Sequence, residues 1–143
     1  MVSPTIQAFI DREADESPYD FSDLRAVIFN GTLKRSPEVS NTEGLADISI
    51  ALMRRLGVTV DVIRTADHVI PPGVQLALRA SGYERDDFPD LYARLVRPAD
   101  ILVLATPVWL GDQSSQTRLI IERLPFRFVR CRAGSDMSPP SSG

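Results

Sequence analysis

The sequence predicts an α/β fold in which a parallel β-sheet is covered by helices on both faces. Two short segments, Arg25–Asn30 and Ile101–Ala105, are apolar with little alternation, which is typical of parallel strands buried on both faces. Segments with helical periodicity separate these from a third predicted strand, so strands and helices alternate along the chain. Such alternation favours a parallel sheet with right-handed crossovers, whose ligands bind beyond the carboxyl ends of the strands.

Three regions are expected along the chain. Residues 25–124 contain the predicted sheet and form one domain. Residues 1–24 are acidic and are predicted to be mostly disordered, with a short helix over Thr5–Arg12, or to form an arm that packs on a partner. Residues 125–143 are rich in Arg, Ser and Pro, which predicts a disordered tail.

The first predicted strand, Arg25–Asn30, leads through a loop to a helix predicted over Thr42–Leu56. Ser40 and Glu43 have the Ser-x-x-Glu spacing of a capping box, which indicates where this helix begins. Its apolar residues recur at helical spacing, and Gly57 follows them as the expected stop.

The second predicted strand, Val58–Ile63, alternates between apolar and polar residues, which is typical of a half-exposed strand at the edge of a sheet. The second helix is expected to begin at Asp86 or Asp87, with Pro89 in its first turn, and to end at Pro98. After the third strand, Ser114 or Ser115 is expected to cap a third helix.

Composition excludes several classes of protein. The 143 residues have a net charge of −3 and a sequence pI of about 5.1, which argues against general binding of nucleic acid. The single cysteine, Cys131, provides no disulfide framework, so a reducing compartment is expected. No signal peptide and no membrane-spanning apolar run is evident, and we expect a cytoplasmic protein.

The loop after the first strand begins at Asn30-Gly31 and is rich in hydroxyl groups, with Lys34 and Arg35 inside it. It enters a helix, whose N-terminus presents N–H groups and the positive end of a dipole, so the whole suits a phosphate. The glycine patterns of dinucleotide folds and of NTPase P-loops do not occur in it. The loop predicts a site for a terminal phosphate monoester; the alternative is a surface loop that only caps a helix.

The loop after the third strand, Thr106–Gly111, places Pro107, Val108 and Trp109 at a strand tip. A rigid turn with an exposed aromatic ring suits the face of a flat heterocycle. The alternative is that Trp109 packs on the first helix. Because both loops follow parallel strands, we expect them to lie at one edge of the sheet and to form one site.

The two loops contain the motifs Asn30-Gly31-Thr32-x-Lys34 followed by Ser40-Asn41-Thr42, and Ala105-Thr106-Pro107-Val108-Trp109. Together they resemble the flavodoxin-like NAD(P)H-dependent FMN reductases over roughly residues 25–124. The resemblance implies a flavodoxin-like sheet with strand order 2-1-3-4-5. Three of these strands are evident in the sequence, and the last two are missing or replaced.

The resemblance also implies FMN as cofactor and NAD(P)H as electron donor, with a hydride passed through the flavin to a quinone, a flavin or a similar small-molecule acceptor. By position, it assigns the FMN phosphate to Thr32, Lys34, Ser40, Asn41 and Thr42. It assigns the flavin ring to Pro107, Val108, Trp109 and Leu110. The cofactor supplies the redox chemistry, so no protein acid or base is required. Because family members usually dimerise, a homodimer is implied.

The pattern of this family stops after Leu124 in the sequence. The third strand would then be an uncovered edge with two apolar faces, which favours aggregation unless another chain covers it. The alternative function is therefore a truncated flavodoxin-like fragment that acts as a non-enzymatic binding or assembly module.

Overall fold

The structure, a computed structural model, describes residues 2–124 and centres on a parallel three-stranded sheet of order β2-β1-β3. The strands are β1 (Arg25–Asn30), β2 (Thr59–Arg64) and β3 (Ile101–Ala105). In the register, Asn30 lies opposite Arg64 on one side and Ala105 on the other, so all three strands end at the same level. The predicted α/β fold is confirmed, and β2 lies at an edge as expected.

Four helices surround the sheet: α1 (Pro4–Glu16), α2 (Asn41–Arg55), α3 (Phe88–Leu91) and α4 (Ser115–Arg123). The predicted caps of α2 and α4 are confirmed: Ser40 Oγ accepts from Glu43 N, and Ser114 Oγ accepts from Thr117 N. Within residues 2–124, no helix is both long enough and apolar enough to cross a membrane.

The acidic N-terminal segment, predicted to be mostly disordered, instead contains the thirteen-residue helix α1. It packs on α2 of its own chain, with Ile10 fully buried. Arg55 of α2 pairs with Asp11 at 3.1 Å and with Asp15 at 2.5 Å. The acidic charge that suggested a solvated segment is therefore partly used to attach α1 to the domain.

The second predicted helix is confirmed in its bounds and differs in form, and a further element was not predicted. Asp87 precedes α3 as expected, and α3 continues to Val96 as a π-helical turn, Tyr92–Val96, closed by a hydrogen bond from Arg97 N to Tyr92 O at 2.8 Å. The loop after β3 contains an antiparallel hairpin of β4 (Val108–Trp109) and β5 (Asp112–Gln113), where only turns were predicted.

The main core lies on one face of the sheet. Its buried members are contributed by β1, β2, α3, α4 and the adjoining segments: Val27, Phe29, Ile63, Ile70, Phe88, Leu91, Val96 and Ile120. Side chains alternate along a strand, so Ile28 points to the opposite face, where α2 lies. Helices therefore cover both faces, as the sequence predicts.

A buried ion pair fixes α4 to the loop before α3. Arg123 and Asp86 have fully buried side chains and pair at 2.7 Å. Arg123 also donates to the carbonyl oxygens of Pro71, Gln75 and Leu76. Burial raises the pKa of Asp86, but hydrogen bonds from Arg123 and from two backbone N–H groups outweigh it and hold that pKa below its usual value. The predicted tail, 125–143, with Cys131, lies outside the described residues.

Candidate functional site

The loops that follow β1 and β3 begin side by side. Asn30 lies opposite Ala105, and the hydrogen bonding continues one residue further, from Gly31 N to Ala105 O at 2.7 Å. The two loops therefore leave the sheet at the same edge, because parallel strands in register end together. This is the carboxyl edge, where sheets of this class bind ligands.

Ser114, at the start of α4, connects the two loops. Its hydroxyl donates to Gly31 O at 2.6 Å, and its backbone N–H donates to Thr106 Oγ1 at 3.0 Å. Gly31 is required for this close approach, because a Cβ there would lie 1.9 Å from Thr117 Oγ1. The sequence analysis identified Ser114 only as a helix cap; its link to a glycine 83 residues earlier could not be seen from a local pattern.

Within the first loop, hydroxyl groups already hold the backbone. Thr32 Oγ1 accepts from Lys34 N at 3.3 Å, and Ser40 Oγ accepts from Glu43 N at 3.3 Å. Each hydroxyl can still donate its own proton to another acceptor. The ammonium of Lys34 folds back to Val39 O at 2.9 Å. The loop is thus shaped by its own side chains before any ligand is considered.

Residues at the end of β2 also hold this loop, and sequence analysis missed them. Arg64 has a side chain only 8% exposed; it donates to Glu38 O at 2.7 Å and to Lys34 O at 3.4 Å, and forms an ion pair with Glu43. Three residues on, Asp67 accepts from Ser36 N at 2.9 Å and from Ser36 Oγ at 2.6 Å.

The contacts of Asp67 affect its titration. Hydrogen bonds from the Ser36 hydroxyl and backbone N–H, helped by the charges of Arg64 and His68, hold the pKa of Asp67 below its usual value. The carboxylate is therefore ionised, and able to accept both bonds, at neutral pH.

The second loop is a hairpin with a tight turn at Leu110-Gly111. Both residues have positive φ, 51° and 82°, as in a two-residue type I′ turn. A leucine rarely adopts this conformation, and the Leu110 side chain is fully exposed. The hairpin therefore presents an apolar tip to solvent.

A cavity of about 490 Å³ opens between α2 and the end of β3. It is lined by residues of the second loop, of α2 and of the sheet: Ile28, Asn41, Thr42, Leu45, Ala46, Ser49, Val103, Ala105, Thr106, Pro107 and Val108. Its volume falls within the range of small-molecule pockets, and its wall is mostly apolar with a few polar side chains.

The cavity unites some of the predicted site residues and not others. Asn41 and Thr42, the first two residues of α2, line it together with Pro107 and Val108 from the second loop. In the described structure, the other predicted residues lie outside the lining: Thr32, Lys34, Ser40, Trp109 and Leu110. Side chains alternate along β4, which explains why Val108 borders the cavity and its neighbour does not.

The N-terminus of α2, which borders the cavity, suits an anion. The first N–H groups of α2 have no acceptor within the helix and point out from its N-terminus. Asn30 is 1% exposed, and its Nδ2 has no hydrogen-bond partner among residues 2–124. Asn30 lies two residues from Ile28, on the face of the sheet that α2 covers. Asn30 is not part of the described cavity lining, so the N-terminus of α2, where Asn41 and Thr42 line the cavity, is the feature that fits a phosphate group.

Comparisons with known proteins agree with this geometry. The sequence model of a family described as NADPH-dependent FMN reductase matches residues 24–137, which extends past Leu124, where the sequence resemblance was expected to stop. A segment of the divalent metal cation transporter MntH of Mycobacterium bovis is 48% identical over 108 residues, 76% of this chain and 16% of that protein.

Two further relatives concern a flavin. The 8-demethyl-8-aminoriboflavin-5′-phosphate synthase of Streptomyces davaonensis is 36% identical over 106 residues, 71% of this chain and 41% of that protein. The crystal structure of RosB with bound 8-demethyl-8-formylriboflavin-5′-phosphate matches 70% of this chain and 41% of its own, with a TM-score of 0.59 and 35% identity.

The chain thus spans less than half the length of each of these relatives. The family match nevertheless covers most of the chain, and the sheet has the flavodoxin-like strand order. This chain belongs to the NADPH-dependent FMN reductase family, whose cofactor is FMN.

Proposed function

We propose that this chain binds FMN at the carboxyl edge of its sheet and acts as an NAD(P)H-dependent oxidoreductase. The observation that supports this most directly is the cavity that Asn41 and Thr42, at the N-terminus of α2, share with Pro107 and Val108 of the second loop. One ligand with an anionic end and a flat apolar end would contact both this helix N-terminus and the second loop. FMN has this form.

The phosphate would be held at the N-terminus of α2. Asn41 and Thr42 border the cavity there, and Ser40, which caps the helix, is 4% exposed with a hydroxyl proton left to donate. Thr32 would donate in the same way. Lys34 would add positive charge after its ammonium leaves Val39 O, an exposed contact that costs little to break.

The flavin ring would lie against the second loop. Pro107 and Val108 give the cavity an apolar border, and Val108 is 74% exposed, so a bound ring would cover apolar surface now in water. Trp109 and Leu110 extend this border along the hairpin. Bound FMN would supply the hydride chemistry, and the residues of this chain would orient it and exclude water.

Further properties follow from family membership as proposals. The electron acceptor would be a small molecule such as a quinone or a free flavin. A homodimer would cover the edge of β3, all five residues of which are half-buried in the described structure. We also propose a cytoplasmic location and no role in nucleic-acid binding, which agrees with the net charge of −3.

The proposal is tested by titrating the purified full chain with FMN and following the visible spectrum and the quenching of flavin fluorescence. Thr42→Val removes one hydroxyl at nearly constant volume and is expected to weaken FMN binding about tenfold, the loss of one charge-assisted hydrogen bond. Thr59→Val, at the opposite end of the sheet, is the matched control. NAD(P)H oxidation with a quinone then tests the activity, and a wild-type chain that leaves the flavin spectrum unchanged contradicts the proposal.

The second candidate function is a non-enzymatic binding or assembly module. It is favoured by the half-exposure of β3, whose apolar residues face water along an edge that is unpaired within residues 2–124. Hydrogen exchange distinguishes the candidates from an unfolded fragment, since a folded module protects β1 and β3. Protected strands together with unchanged flavin spectra would favour the module.

A further inference from the structure

Arg64 connects the end of β2 to the loop that follows β1 and to the helix α2 that the loop enters. Its guanidinium donates to Lys34 O and Glu38 O within the loop and pairs with Glu43 in the first turn of α2. Lys34 and Glu38 lie on either side of the middle of the loop, and Glu43 lies just after the loop has entered α2. One planar group with several fixed donors therefore sets the distance between the loop and the helix N-terminus.

Arg64 also determines the charge at that helix N-terminus. Glu43 lies three residues after the cap, close to the place proposed for the phosphate. An unpaired carboxylate there would repel a phosphate dianion, and the ion pair with Arg64 cancels its charge. Without Arg64 the loop would lose its anchor and the site would gain a net negative charge.

A second attachment, from the turn that follows β2, supports this arrangement. Asp67 accepts two hydrogen bonds from Ser36, in the middle of the loop. The end of β2 and the turn after it thus hold the loop at Lys34, Ser36 and Glu38. None of these bonds involves the second loop, Thr106–Gly111, where the flavin ring is proposed to lie.

We propose that Arg64 is a positioning residue that sets the preference of this site for FMN over riboflavin, the same ring without the phosphate. The inference rests on the proposed function. Arg64 acts through the loop and through Glu43: its guanidinium donates to Lys34 O, to Glu38 O and to Glu43, and among the described residues it is not part of the cavity lining. It therefore affects the binding of the phosphate and leaves the contacts with the ring unchanged.

The test compares the Kd values of the full chain for FMN and for riboflavin, measured by flavin fluorescence. Arg64→Gln is expected to weaken FMN binding at least tenfold and to change riboflavin binding less than twofold. Arg64→Lys keeps the charge but cannot reach three divergent partners, so an intermediate loss of the preference is expected. Arg25→Gln is the matched control: Arg25, the first residue of β1, pairs with Asp61 of β2 at the end of β1 away from the candidate site, and its loss should leave both Kd values unchanged.

Each outcome decides a separate point. A wild-type chain that binds neither flavin overturns the proposed function and this inference together. If the wild type prefers FMN and Arg64→Gln keeps that preference, only this inference fails. If Arg64→Gln weakens the binding of FMN and of riboflavin equally, Arg64 has a general structural role, and this result also contradicts the inference. If Arg64→Gln does not fold, Arg64→Lys decides: an unchanged preference contradicts the positioning role.

Discussion

Strands β1 and β3 are similar in sequence and differ in their surroundings. Both are predominantly apolar and both end at the candidate site, yet five of the six residues of β1 are buried and all five of β3 are only half-buried. β1 has a strand on each side, while β3 has one neighbour within residues 2–124. An apolar run therefore indicates that a strand can be buried on both faces. How far it is buried depends on the elements that pack beside it.

The loops that follow these strands differ in the same direction. The loop after β1 is attached to β2 through Arg64 and Asp67 and to α4 through Gly31. The loop after β3 is a hairpin whose tip is exposed. In the proposed site, the phosphate would meet a preorganised surface, and the ring would meet one that gains burial when the ligand binds.

The largest effect is expected from removing the same side chain on each strand. Ile28→Ala, at a fully buried position of β1, should lower the free energy of unfolding by about 2–5 kcal/mol, because it removes buried methyl groups and leaves a cavity. Ile101→Ala, at a half-buried position of β3, should lower the free energy of unfolding by about 1 kcal/mol, because the removed methyl groups bury less apolar surface there than at Ile28.

Urea unfolding followed by circular dichroism measures both losses. Equal losses would mean that β3 is as well covered as β1 in solution. Repeating the Ile101→Ala measurement over a range of protein concentrations then shows whether a second copy provides that cover, because self-association makes apparent stability depend on concentration.

Much of this architecture was predictable from local patterns. Apolar runs defined the strands within one residue, as for β2, predicted at Val58–Ile63 and found at Thr59–Arg64. Ser40 and Ser114 cap helices as predicted, because a cap depends on residues only three positions away. The parallel sheet followed from the alternation of elements, and with it the placement of both loops at one edge.

The parts that were missed depend on contacts between distant residues. Arg64 reaches Glu38 across 26 positions, and this pairing requires the register of β2 beside β1, which no single segment reveals. The hairpin was missed because Leu110 is an unusual residue at positive φ, although Gly111 was a usable signal. The start of α1 is marked in the sequence by Ser3-Pro4, a capping serine followed by a proline in the first turn.

A smaller difference is expected between the glycines of the two loops. Gly31→Ala should cost about 3 kcal/mol, because the new Cβ would lie 1.9 Å from Thr117 Oγ1 and the neighbours must move. Gly111→Ala should cost about 1 kcal/mol: within the described residues nothing lies within 4 Å of its Cβ, and only the positive φ of 82° opposes it.

Thermal unfolding of the two variants measures this difference. Adding Thr117→Ala to Gly31→Ala removes the clashing oxygen. The double variant should therefore be more stable than the sum of the two single losses predicts. A Gly31→Ala chain no less stable than Gly111→Ala would show that the loop after β1 is not held as closely against α4 as the structure describes.

The smallest effect concerns the acid stability of the loop after β1. The hydrogen bonds from Ser36 lower the pKa of Asp67 in the folded state, so their contribution to stability is present above the unfolded-state pKa, about 3.9, and is lost as the pH falls through the folded-state value.

Asp67→Asn should therefore lower stability at pH 7 by less than about 1 kcal/mol, since the exposed side chain is screened by water. Once the pH falls below the folded-state pKa of Asp67, the variant and the wild type should converge, because both side chains are then neutral. Ser36→Ala removes both the hydroxyl donor and part of the pKa shift, and should show the same convergence in urea unfolding measured across this pH range. A difference in stability that persists unchanged at low pH would mean that Asp67 acts on the loop by shape alone.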